Sequence, residues 1–191
     1  MKKRLVVILI LIILLGSTIL AADFKDIYVQ LLQSGKYEEL YQHLAEWEQV
    51  DPHNPELYIA YFNYYYKTSR EERIILIGPS QSDQVNSKDN FLKVTDPEDP
   101  DKLVGYLYSE IVYDDEKIDL SLNYLNEGLK RYPERLDMHL GKINTLGQVF
   151  RYEAQKDALI EVLSISTVLD NQWLFHNGEE LKDGYEFMIE N

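Results

Sequence analysis

A mainly α chain of antiparallel helix pairs, with one small β-hairpin inserted, is predicted by three features of the sequence. Between Gly35 and Glu56, apolar or aromatic residues fall at Tyr37, Leu40, Tyr41, Leu44, Trp47 and Val50, a three-and-four spacing that forms one stripe of a helix. That stripe is punctuated at both ends. Gly35 supplies a turn where a positive φ is cheap, and Asp51, Pro52, His53, Asn54 and Pro55 stop the helix, because proline lacks an amide proton and its ring clashes with the preceding turn. The third feature is the pair Phe91–Thr95 and Leu103–Tyr108, which flanks the turn DPEDPD; the turn is too rich in proline for helix, and the flanks have strand composition.

The stretch GKYEELYQHLAEWEQVDPHNPE resembles the tetratricopeptide repeat, whose unit is about 34 residues folded as two antiparallel helices. Its glycine and tyrosine match Gly35 and Tyr37, and its terminal proline matches Pro52. The small residue that faces the partner helix is a larger Leu40, and the aromatic-then-alanine pair falls on Leu44 and Trp47, departures that imply looser packing. The resemblance implies a right-handed superhelical solenoid whose concave face binds a protein or peptide. Arrays of this kind commonly continue, so the chain reads as a short or truncated member.

Met1–Ala22 begins with Lys2, Lys3 and Arg4, runs apolar from Leu5 to Leu15 and closes on small residues around Gly16, Ser17, Ala21 and Ala22. This is an export signal. Its uncharged span is at the short edge of what crosses a bilayer as a helix, so cleavage and retention as an N-terminal anchor both fit. Residues 23–191 then form the helical domain. Asp23–Gln33 is the first helix, with Phe24, Ile27, Tyr28 and Leu31 on its buried face by repeat register. Lys36–Val50 is the second. Pro55–Ser69 is the third, with Tyr58, Tyr61, Phe62 and Tyr65 inward and Ile59, Asn63 and Tyr66 on another face.

The next terminating proline is Pro133, and 133 − 52 = 81 residues exceeds one repeat of about 34 by the length of residues 69–115. An insertion therefore interrupts the second repeat. It holds the hairpin, a short strand at Ile74–Ile77 ended by Gly78 and Pro79, and a polar loop at Ser80–Asn90. Glu116–Tyr132 completes the repeat, with Ile118, Leu122, Leu125 and Leu129 on one stripe. Leu136–Gln148 and Tyr152–Leu169 form a third pair, the latter with Ala154, Ala158, Leu159 and Val162 inward. The tail places Trp173, Leu174 and Phe175 in a loop, followed by a short helix from Gly184.

With 45% hydrophobic and 27% charged residues among 191, the chain is large enough for one domain of ordinary core size. Its net charge is −14; removing the leader leaves 19 − 3 = 16 basic against 33 acidic residues, or −17. Nucleic-acid binding needs a basic footprint that is missing, and an anionic membrane surface is repelled, leaving the N-terminal segment as the one membrane contact. A basic partner is allowed but not demanded. There is no cysteine, which closes the lipoprotein route and leaves an exported fold without disulfides.

No phosphate-binding glycine loop, nucleophile elbow or paired-histidine zinc motif is present. His43, His53, His139 and His176 are scattered and read as surface or capping residues, and the acidic runs Asp96–Asp101 and Asp114–Glu116 read as solvated turns because they lack the alternating ligands of a calcium loop. Carboxylates are abundant, but nothing singles out an acid pair. The expectation is a non-catalytic envelope scaffold without catalytic residue, metal or cofactor; the alternative is a hydrolase or an accessory subunit of an envelope enzyme. The family's carboxylate clamp, carried over, falls on Lys25, Val29, Ala60, Asp137 and Gly141, which lack the required side chains beyond Lys25. The resemblance places the binding face on the first helices of the pairs, with Lys25, Val29, Leu32, Ile59, Asn63 and Tyr66. Apolar residues beside an aromatic with a polar tip suit a protein or peptide contact; burial within the chain or self-association would use the same composition.

Overall fold

The computed structural model describes residues 24–80, 91–175 and 178–181. Residues 24–33 form α1, followed by α2 (Tyr37–Val50) and α3 (Pro55–Ser69), then strands β1 (Arg70–Ile77), β2 (Phe91–Thr95) and β3 (Leu103–Tyr113). Three helices come next, α4 (Asp115–Arg131), α5 (Leu136–Gln148) and α6 (Tyr152–Val168), and a short hairpin of β4 (Trp173–Phe175) and β5 (Glu179–Leu181) closes the described chain. The protein is mainly helical, with a small three-stranded antiparallel sheet in the order β1-β3-β2. The expected signal segment, the loop after Ser80 and the helix from Gly184 lie outside the described residues, as does His176. Thr68–Asp115 forms one compact unit and the helices form the other.

Local chemistry explains where the helices start and stop. At the end of α1, the amide of Lys36 donates to the Leu31 carbonyl (3.1 Å) and that of Gly35 to Leu32 (3.2 Å), the paired bonds of a Schellman stop with Gly35 at φ 68°. The same pair recurs after α5, from Arg151 to Leu146 (2.9 Å) and from Phe150 to Gly147 (3.2 Å). Here the left-handed position holds Phe150 at φ 61°, where a side chain costs about 1–2 kcal/mol. Asn54 starts α3, its Oδ1 accepting the Glu56 amide (2.9 Å).

Flat rings and small residues fill the helical core. Phe24 stacks on Trp47 (centroids 5.9 Å) and Tyr61 on Tyr124 (4.4 Å). A Cβ on Gly128 would meet Met138 and Tyr58, and one on Gly141 would meet Phe62 and Leu125. Leu40 and Trp47, the larger residues at those positions, are fully buried in the core. The stripes also differ in detail from the periodic reading. Ile27, Tyr41 and Val50 are exposed, while Leu57, Ala60, Ser121 and Gly128 are inward, because which flank of a stripe is covered depends on where the neighbouring helix lies. In α6, Ala158 and Val162 are buried but Ala154 and Leu159 are exposed. Two histidines expected at the surface are core residues with satisfied rings: His43 Nε2 donates to the Phe24 carbonyl (2.8 Å) and His139 Nε2 to Pro133 (3.0 Å). Trp173 is likewise buried on a strand, edge-on to His139 (5.6 Å).

In the sheet unit, β1 and β3 are longer than their apolar stretches, since their polar halves pair in register, with Arg73 opposite Glu110 and Arg70 opposite Tyr113. The hairpin is therefore two strands of a three-stranded sheet with β3 at its centre. The turn Asp96–Lys102 is held by its own side chains, Asp96 accepting the Glu98 amide (3.0 Å) and the Lys102 ammonium (2.8 Å). Gly105 has no room for a side chain, as a Cβ there would run into the Ile77 carbonyl.

Two substitutions test these local arguments. Phe150→Gly relieves the left-handed strain and is expected to raise stability by about 1 kcal/mol, read from denaturant midpoints. Gly105→Ala is expected to push β1 from β3, seen as faster amide exchange at Ile75–Ile77 than in the unaltered chain.

Candidate functional site

The first turns of α3 and α5 meet at a buried ionic cluster. Arg135, in the turn before α5, is almost wholly buried. Its Nη2 donates to Glu56 Oε1 (2.7 Å) and Asp137 Oδ2 (2.7 Å), and its Nε to Asp137 Oδ1 (2.9 Å). The fork on Asp137 is the bidentate geometry that guanidinium favours. Lys25 of α1 completes the group, donating Nζ to Glu56 Oε2 (2.7 Å). Both carboxylates occupy the first turn of a helix, where the backbone dipole favours negative charge. Burial alone would push the Glu56 carboxyl up, but the bonds and charges of Lys25 and Arg135 outweigh it and hold it below its ordinary value of 4.5. For Arg135, burial acts downward, and the bonds to Asp137 and Glu56 reverse it.

This cluster joins the helices α1, α3 and α5 through side chains. The second joint is Asn63 of α3, whose Nδ2 donates to the Tyr28 hydroxyl of α1 (2.9 Å). Burial pushes that phenol up to about 12, with the Asn63 bond acting in the opposite direction and the Glu56 charge adding to the rise. Around these joints lie the six residues singled out from the sequence. Lys25 and Asn63 are engaged in the bonds just described; Leu32 packs on the Tyr28 cluster, and Ile59 and Tyr66 on the cluster of Phe62, Leu125 and Met138. Val29 is exposed. Of the clamp positions, Ala60 is buried and Asp137 holds Arg135.

Periodicity passed over Glu56, Arg135 and Asp137 because it reads apolar stripes. A signal did exist: Glu56 and Asp137 are 137 − 56 = 81 residues apart, the same spacing as Pro52 and Pro133, Leu57 and Met138, and Ala60 and Gly141. A separate cleft of about 480 Å³ lies between α4, α5 and α6, with Asn123, Asn126, Lys130, His139, Lys142 and Glu161 among its lining residues. Lys142 is paired there with Glu161 (3.2 Å). Burial holds His139 below its ordinary 6.5, so its ring is neutral at pH 7. Among the described residues no group of three or more His, Asp or Glu could hold a metal ion, and no helix is long and apolar enough to cross a membrane.

No family model matches the chain, and no curated protein or solved structure matches it.

Arg135→Ala leaves Glu56 and Asp137 facing each other across a buried gap and is expected to cost roughly 3–5 kcal/mol of stability, measured by denaturant unfolding. The lowered values of Glu56 and His139 both give stability that is complete above the unfolded value and lost as pH falls through the folded one. Melting temperature is therefore expected to decline in two windows, beginning below pH 6.5 for His139 and below 4.5 for Glu56. Glu56→Gln should flatten the second window and leave the first in place.

Proposed function

We propose that the helices form a tetratricopeptide-like solenoid, a right-handed superhelix of the pairs α1/α2, α3/α4 and α5/α6, and that it serves as a non-catalytic scaffold in the cell envelope. The observation that carries this reading is the side-by-side joining of the three first helices, α1 to α3 through Lys25–Glu56 and Tyr28–Asn63, and α3 to α5 through Glu56–Arg135. Helices from separate pairs that share side-chain bonds make one continuous face. A face of that kind binds by shape and burial over several helices, which suits an extended or helical peptide segment.

On this face Val29 is open and Ile59, Asn63 and Tyr66 are partly open. Their mixture of aliphatic, amide and phenol groups favours a protein or peptide contact over a sugar or an ion. The net charge of −14 disfavours nucleic acid and tolerates a basic partner. The basic start and apolar run of Met1–Ala22 support export, with the scaffold outside the cytoplasmic membrane, free or held by its first segment.

A photo-crosslinking residue in place of Val29, in cells of the native host, is expected to give discrete adducts in the envelope fraction. The same residue in place of Glu39, on the far helix α2, is expected to give none. Equal adducts at both positions, or recovery of the chain in the cytoplasm with Met1 retained, would count against the proposal.

A further inference from the structure

The helix pairs repeat closely enough for each position to be compared with its counterparts, and the comparison isolates two that lack a neighbour. Counting nine residues on from the left-handed residue of the Schellman turn gives Leu44 from Gly35 and Leu159 from Phe150. Counting 81 on from Leu44, as from Pro52 to Pro133, gives Leu125. Leu44 and Leu125 are 0% and 1% exposed, whereas Leu159 is 46% exposed. Four residues further, Glu48, itself exposed, accepts the Tyr61 hydroxyl of α3 (2.9 Å) and the half-buried Leu129 packs in the Phe62 cluster, while Leu163 is 53% exposed with no such partner among the described helices. In α2 and α4 these positions receive the first helix of the following pair. In α6 they form an apolar face with Ile160, also exposed, and no described helix covers it.

The opposite end of the helical unit shows the matching gap. Tyr61 of α3 stands between two second helices, stacking on Tyr124 of α4 and bonding Glu48 of α2. Its counterpart in α5, 81 residues on, is Lys142, which pairs with Glu161 of α6 and lines the cleft with Asn126 of α4. One repeat before Tyr61 (61 − 34 = 27) stands Ile27, 44% exposed. It occupies the place from which a first helix grips the pair before it, and among the described residues no pair precedes α1.

We propose that this chain associates head to tail with a second copy of itself, α1 of one copy docking through Ile27 onto Leu159, Ile160 and Leu163 of α6 in the next. The inference rests on the stacked-pair reading of the helices. The contact continues two interfaces the chain already forms internally, α2 with α3 and α4 with α5, and the same chain carries both halves. It is heterologous, so a third copy can add to the second, and the product is an open series rather than a closed dimer. The surplus of negative charge, −14 per chain, opposes the approach of copies, and added salt screens it.

The absence of cysteine makes the test direct. The full chain carrying both Ile27→Cys and Leu163→Cys is oxidised in its native envelope and again after purification, with each single substitution alongside. The expected result is a ladder of two, three and more copies for the double variant, no ladder for either single one, and a ladder that lengthens with salt. A dimer from Leu163→Cys alone means that α6 meets α6, and no ladder at all leaves the face to another occupant; either result overturns the proposal. Melting of Leu159→Asp and Leu125→Asp in dilute, low-salt solution, where copies stay apart, keeps the two readings apart. If Leu159→Asp melts like the unaltered chain while Leu125→Asp is unfolded, the stacked pairs stand whatever the ladder shows. If the two lose the same amount, the stacked-pair reading itself fails.

Discussion

A guanidinium withdrawn from water is stable only where fixed acceptors replace its hydration, and Arg135 sets that condition for the helical unit. Its acceptors come from two helix starts, Glu56 on α3 and Asp137 on α5, so the charge is satisfied only when α3 and α5 lie at one distance and in one register. Lys25 extends the requirement to α1 through the second oxygen of Glu56. Apolar packing would tolerate small slides between these helices, since burial has no direction. An ion pair in low dielectric does not, because a misplaced partner leaves a desolvated charge behind. The cluster thus constrains the mutual register of α3 and α5 in a way that apolar burial alone does not.

The rest of the core works within that registration. Tyr61, Tyr65 and Tyr124 stack as a block with centroids 4.4 and 5.7 Å apart between α3 and α4, and burial raises all three phenols. On the other side of α3, Ala60, Gly128 and Gly141 remove volume where neighbouring helices approach. Large flat groups fill the space on one side of the helix, and missing side chains allow close approach on the other. Tyrosine suits the first role, because its hydroxyl reaches polar groups at the rim, as Tyr61 does at Glu48.

Helix limits were legible in the sequence because their causes are local. Pro55–Ser69 and Leu136–Gln148 are bounded by Asn54, Pro133 and the turn after Gln148, and Phe91–Thr95 by its proline-rich neighbour. Burial was less legible, since it depends on partners far along the chain. Ile27 and Leu159 satisfy the apolar period and stay exposed, while His43 and His139 break it and are buried, each with one bond to a backbone carbonyl, that of Phe24 on α1 for His43 and that of Pro133 for His139. The polar halves of β1 and β3 carried no strand pattern, and only the cross-strand pairing of Arg73 with Glu110 explains their length. Arg135 was the hardest residue to read. Its burial depends on two carboxylates that a periodic reading assigns to solvent, although the recurrence of an acidic residue 81 positions after Glu56 was visible.

The chain has two tryptophans, and each is buried beside a histidine: Trp47 with His43 at 6.5 Å, and Trp173 with His139 at 5.6 Å. Both belong to the helical unit, one in α2 and one on the short strand β4. An imidazolium quenches indole emission at such distances, while a neutral ring does so weakly. The protein's tryptophan emission is therefore a two-site optical record of its helical unit, with no indole in the inserted sheet. Exposure of either indole to water would shift that emission to the red without any label, and changes confined to Thr68–Asp115 would leave it unchanged.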